Sequence, residues 1–214
     1  DRLGGYDPYS SSKACSEFVS AAYRNSYLRK LDINLATARG GNVIGGGDWS
    51  KDRIIPDLFK QWSKSKILKI RNPNSTRPWQ FVLEPVAAYL YLGSLLLKKN
   101  KKINFESFNI GPKRNINKSV LQLISLIKKD VKNIRFSISK DKTKKEAKLL
   151  RLNCNKIFKY TKWKPIYDFQ QTVKCTVDWY KNYYSKENDI IDFSIEQIEK
   201  YINFKKKNSW IKND

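Results

Sequence analysis

Apolar residues along the chain fall into two alternating rhythms. Phe18, Val19, Ala22 and Tyr23 follow Asp7-Pro8 at helical spacing and predict a helix over residues 9–30. The same rhythm predicts helices over 54–64, with Pro56 in the first turn, and over 84–98, 119–129, 155–160 and 172–184. A last helix is expected over 194–202, with Ser194 as its cap and Gln197 at the capping-box position. Period-two or short β-branched runs predict strands at 33–38, 67–70, 80–82, 105–110 and 134–138. Residues 139–148 read as a lysine-rich loop.

Between the first strand and the second helix lies Gly40-Gly41-Asn42-Val43-Ile44-Gly45-Gly46-Gly47-Asp48. Such glycine density excludes helix or ordinary strand and predicts a loop whose backbone takes unusual angles or approaches something closely.

Strands alternating with helices argue an α/β fold with a parallel sheet. There are too few strands for a complete doubly wound sheet. A dinucleotide-binding half also needs a strand, a glycine-rich turn and a helix in succession, with an acid about 20 residues on. Gly45-Gly46-Gly47 does not open a helix, so that N-terminal glycine-rich half is expected to lie outside this chain. The residues after 202 read as a polar tail.

Composition narrows the chemistry. The 214 residues include no histidine, which excludes Ser-His-Asp triads, Cys-His dyads and His-ligated zinc from within the chain. Lys and Arg number 43 against 20 Asp and Glu, for a formal charge of +23. The lysines are spread over the whole chain and do not interleave with aromatics, so a solvated surface fits better than a nucleic-acid platform. A positive field also suits an anionic small substrate. The best apolar run, Val86 to Leu97, is too short to cross a membrane. Cys15, Cys154 and Cys175 are widely spaced and odd in number, which suits reduced thiols in a cytoplasm.

Tyr9 and Lys13 are four residues apart on the first predicted helix and therefore share a face. A phenol is a poor base at neutral pH, but a nearby ammonium stabilises the phenolate and makes the pair usable for acid–base work. The spacing alone also fits an exposed Tyr and Lys on any helix. Arg53 and Arg77 offer guanidinium forks suited to phosphate, as does Arg71, and each equally fits a structural arginine. Asn42 is either an amide donor or a turn residue. Trp79 either supports a pocket or is simply core. Asp48 and Glu84 could serve as structural partners for these arginines and are given no catalytic role.

Asp7-Pro8-Tyr9-Ser10-Ser11-Ser12-Lys13, followed by Thr37-Ala38-Arg39-Gly40-Gly41-Asn42-Val43-Ile44-Gly45-Gly46-Gly47-Asp48-Trp49, resembles the extended short-chain dehydrogenase/reductase family. Arg77-Pro78-Trp79-Gln80, Val82-Leu83-Glu84-Pro85, Phe108-Asn109-Ile110-Gly111-Pro112 and Val177-Asp178-Trp179-Tyr180 narrow the likeness to nucleotide-sugar 4,6-dehydratases of the CDP-glucose type. The resemblance runs over roughly residues 1–202. It implies a Rossmann domain, of which residues 1–50 would be the C-terminal part with later returns near 80–110, and a smaller α/β substrate-binding domain made mainly by 51–202, before a polar tail at 203–214. It also implies tightly held NAD, CDP-glucose as substrate and CDP-4-dehydro-6-deoxyglucose plus water as products. Tyr9 would take the proton from the sugar 4-hydroxyl, and Lys13 would hold the nicotinamide ribose and favour the phenolate. Asn42, Arg53, Arg77 and Arg71 would contact the substrate, with Asn42 turned toward its diphosphate. A homodimer is implied as well. The chain departs from the family pattern around Lys145-Glu146-Ala147, where His usually precedes Glu-Ala, and at Asn153, where Asp is usual.

Overall fold

A computed structural model describes residues 3–5, 7–112, 117–139 and 152–207. Helix α1 (Pro8–Tyr23) begins where the first rhythm places it. Asp7 caps it by accepting from the Ser10 N–H at 2.9 Å, and Pro8 takes the first turn, where no amide is needed. A π-helical turn, Arg24–Leu28, extends it.

Strand β1 (Thr37–Gly40) starts later than the period-two pattern suggests. The backbone before it is taken up otherwise. The Leu35 N–H donates to the Asn104 side chain and the Leu35 carbonyl accepts from the Phe105 N–H. The glycine-dense segment is not all loop either: Asn42–Ile44 is strand β2. Its glycines flank the strand, while Val43 and Ile44 supply the β-branched residues that pair.

The chain continues through α2 (Ile54–Ser63), β3 (Ile67–Ile70), β4 (Thr76–Arg77), β5 (Trp79–Phe81) and α3 (Leu83–Leu97). Then follow β6 (Ser107–Ile110), β7 (Lys118–Ser119), α4 (Val120–Asp130) and β8 (Arg135–Ile138). The described chain ends with α5 (Asn155–Thr161), α6 (Phe169–Ser185) and α7 (Ile190–Lys207). Capping boxes start α4 at Ser119/Gln122 and α6 at Asp168/Gln171. Helix α7 begins before Ser194, which lies inside it and donates to the Ile190 carbonyl instead of capping. Residues 203–207, expected as tail, are its last turns. The lysine-rich loop at 140–148, with Lys145-Glu146-Ala147, falls outside the described residues, as do residues 208–214 of the expected tail.

Three strand pairs are parallel: β1 with β6, β2 with β5, and β3 with β8. The short β4–β7 pair is antiparallel. Strands β1 and β2 are separated by Gly41 alone, so the chain passes there from one ladder to the next. The Ile110 carbonyl at the end of β6 accepts from both the Gly41 N–H (2.9 Å) and the buried Gln80 amide (3.1 Å), which fixes that crossing.

The largest apolar cluster gathers Leu58 and Phe59 of α2, Ile124 and Ile127 of α4, and Val177 and Tyr180 of α6. A second packs Ala88 and Leu92 of α3 under Phe108 and Ile110 of β6, with Ile157 and Trp163. A third joins Phe81, Ile166, Tyr167 and Tyr201. Among the described residues, no helix is long and apolar enough to cross a membrane.

Candidate functional site

The C-terminal ends of β1 and β2 open onto a cleft of about 640 Å³ lined by Tyr9, Asn42, Arg53, Arg77 and Trp79, among others. Four of the six residues that the resemblance assigns to the site, Tyr9, Asn42, Arg53 and Arg77, therefore face one space. Lys13 lines an adjoining hollow of about 610 Å³, which shares Tyr9, Gly40, Gly41 and Val43 with the first. Tyr9 stands at the joint between the two spaces. It is 70% exposed, and the Lys13 ammonium lies 5.4 Å from its ring centroid.

Arg53 is the residue at the start of α2 and makes no side-chain cap there. The first turn of α2, Ile54 to Pro56, also lines the cleft. Its backbone N–H groups add partial positive charge to that of Arg53. Arg77 sits on β4 beside β5, and one of its Nη atoms donates to the Thr76 carbonyl at 2.9 Å. Arg71 is not among the cleft-lining residues. It pairs with Asp52 at 2.9 Å, and Asp52 does line the cleft.

Trp79 fills both of its alternatives. Its ring belongs to the core, its indole N–H donates to the Lys118 carbonyl at 2.8 Å, and it lines the cleft. Asp48 and Glu84 do not take up arginines. The Asp48 carboxylate accepts from the Ser50 N–H. Glu84, 1% exposed, accepts from the Ile166 and Tyr167 N–H groups and the Tyr201 hydroxyl at 2.7–2.9 Å. Burial raises the Glu84 carboxyl above its usual value, and those three donors only partly offset the rise. Among the described residues, Glu17 pairs with Arg39 and Asp52 with Arg71.

Beside Gly45 and Asp48, which line the cleft, two motifs meet in space. Gly46 lies flat against the Trp179 ring, and Gly47 carries a left-handed φ of +77°. Trp49 packs on Trp179, Tyr180 and Tyr183, and the Tyr180 hydroxyl donates to the Asp48 carbonyl at 2.6 Å. The Gly-Gly-Gly-Asp-Trp loop is thereby held on α6.

Pattern reading did not single out Glu17, Gln80 or Tyr89. The first and last line the hollow beside Tyr9, and Gln80 donates to the Ile110 carbonyl at the β1–β2 crossing. Glu17 carries a visible signal, one helical turn beyond Lys13.

No family model matches the chain. Over 206 residues, 94% of its length, it is 35% identical to a CDP-glucose 4,6-dehydratase from Salmonella typhimurium. It matches the C-terminal portion of that protein. Its fold is that of the Rossmann-type dehydratases and epimerases. A dTDP-glucose 4,6-dehydratase from Bacillus anthracis in complex with NAD superposes with a TM-score of 0.67 at 23% identity, over 85% of this chain and 54% of that one. An epimerase from Methanothermobacter thermautotrophicus gives 0.73 at 20% identity, over 87% and 54%. A UDP-glucuronic acid 4-epimerase from Bacillus cereus, in complex with UDP-glucuronic acid and NAD, gives 0.68 at 22%, over 83% and 54%. The chain spans just over half the length of these relatives, 57% in the Salmonella case.

Proposed function

We propose that the chain is the C-terminal portion of an NAD-dependent nucleotide-sugar 4,6-dehydratase acting on CDP-glucose. One observation carries this reading. A chain resembling a CDP-glucose dehydratase brings Tyr9, Asn42, Arg53 and Arg77 to one cleft, with Lys13 in the hollow adjoining it.

The residues divide the work by position. Arg53, Arg77 and the first turn of α2 bring positive charge to the cleft, which would suit a diphosphate. Asn42 would add an amide donor from the same cleft. The sugar would then extend toward the phenol at the joint of the two hollows. Tyr9 takes the proton from the sugar 4-hydroxyl, and the Lys13 ammonium supports the charge that develops on the phenol oxygen. The hollow beside Lys13 offers room and a hydroxyl-binding ammonium that fit a nicotinamide riboside. NAD, when bound, would accept the hydride from the sugar and return it. Elimination of water across C5 and C6 gives the 4-keto-6-deoxy product.

The test is direct. The chain is joined to the NAD-binding half of the Salmonella relative, loaded with NAD and given CDP-glucose, and the 4-keto product is followed by its absorbance in alkali. Product that disappears in Tyr9→Phe supports the reading, with an expected loss of about 10²- to 10⁴-fold. A folded, NAD-loaded protein that processes GDP-mannose or a UDP-sugar instead would reassign the substrate. No turnover of any of these would favour a non-catalytic binding module.

A further inference from the structure

Helix α1 carries Tyr9 and Lys13 but buries little. Ala14 is its one buried residue among those described. Burial alone therefore leaves the helix free to slide along the strands beneath it. Glu17 supplies what burial does not. It lies one turn past Lys13 and two past Tyr9, on the same face. Its Oε1 accepts from the Arg39 Nε at 2.6 Å. Its Oε2 accepts from the Thr37 hydroxyl at 2.8 Å and the Ser107 hydroxyl at 3.2 Å. Thr37 and Ser107 are directly paired at the first rung of the β1–β6 ladder. The carboxylate is thus pinned over one rung by both strands at once. Partial burial opposes its ionisation, but the Arg39, Thr37 and Ser107 hydrogen bonds outweigh that and hold it below its usual value.

The lengths then match. From Glu17 back to Tyr9 the helix rises about 12 Å, at about 1.5 Å per residue. From Thr37 to Gly40 the strand advances about 10 Å, at about 3.3 Å per residue. The helix N-terminus consequently arrives at Gly40 and Gly41, where Tyr9 joins the two hollows. A slip of one helical turn, about 5.4 Å, would carry the phenol away from that joint.

We infer that Glu17 is a positioning residue: it fixes the height of α1 on the β1–β6 ladder and so sets Tyr9 and Lys13 against the cleft. Its kinetic consequence rests on the dehydratase reading, while its structural consequence does not. In the NAD-loaded fusion, Glu17→Gln is expected to lower kcat at least tenfold and leave KM for CDP-glucose within twofold, because Arg53 and Arg77 sit on other elements. Thr37→Val removes one of the three donors and should lower kcat a few-fold in the same manner. In the 214-residue chain itself, Glu17→Gln should speed amide hydrogen exchange across α1 at least tenfold and leave α4 and α6 unchanged. A kcat within twofold of the parent overturns the inference. So does a variant whose exchange rises equally in α1, α4 and α6, because Glu17 would then be a general support of the fold. If the parent turns over no nucleotide sugar, the dehydratase reading fails separately and the exchange pattern alone decides.

Discussion

Gly46 and Trp179 touch so closely that a Cβ on Gly46 would sit 2.1 Å from the indole Cγ and Cδ2. The ring cannot readily retreat. It stacks on Tyr183 at a centroid separation of 5.5 Å, and its N–H donates to the Ser194 hydroxyl at 2.8 Å. Gly46→Ala is therefore expected to destabilise the protein by about 1–3 kcal/mol, the usual cost of overpacking. Chemical denaturation measures this. The loss should shrink markedly when the alanine is introduced into a Trp179→Leu background, since the clashing ring is then gone. Equal losses in both backgrounds would place the strain elsewhere.

Glu84 predicts a pH effect with a definite sign. Burial raises its carboxyl in the folded protein, so the folded state binds that proton more tightly than the unfolded chain does. Its contribution is most favourable at and below the ordinary glutamate range, about pH 4.3. It is lost as pH climbs from there through the raised folded value. Glu17 runs the other way. Held low in the fold, it contributes stability above the ordinary range and loses it as pH falls. Comparing the parent with Glu84→Gln cancels the Glu17 part. The parent should lose stability relative to the variant as pH rises through that window. A difference that stays constant from pH 4 to 8 would contradict the raised carboxyl.

The sequence carried most of the fold where local rules act alone. Strand β3, helix α2 and the start of α4 stand where periodicity places them. It failed where distant groups decide. Residues 33–36 look like strand, yet the Asn104 side chain takes the Leu35 amide. The glycine-dense segment looks like pure loop, yet Asn42–Ile44 finds a parallel partner in β5 across a long separation. Ser194 has the spacing of a cap, but it is inside a longer helix and its hydroxyl serves Trp179. The cleft was legible in part for the same reason. Tyr9 and Lys13 announce themselves by local spacing. That Asp52, not Asp48 or Glu84, engages Arg71 depends on where loops far apart in sequence come to rest.

The three arginines nearest the cleft should separate by substitution. Arg53 and Arg77 line it, and Arg71 is engaged by Asp52 at its edge. A hydrogen bond between a guanidinium and phosphate is worth about 1.5–3 kcal/mol. At about 1.4 kcal/mol per decade, Arg53→Ala or Arg77→Ala should raise KM for CDP-glucose roughly tenfold to a hundredfold. On the proposed reading, diphosphate binding would be remote from the bond changes at the sugar, so kcat should move much less. Both variants should also weaken the salt dependence of binding, since each removes a charge that lines the cleft. Arg71→Ala should leave KM within about threefold by the same conversion. It should also cost less than about 1 kcal/mol of stability, because its ion pair with Asp52 is largely solvent-exposed. Steady-state kinetics on the three NAD-loaded variants at two salt concentrations checks the ordering. An Arg71→Ala variant as impaired in KM as Arg77→Ala would mean that Arg71 leaves Asp52 to grip the diphosphate when substrate binds.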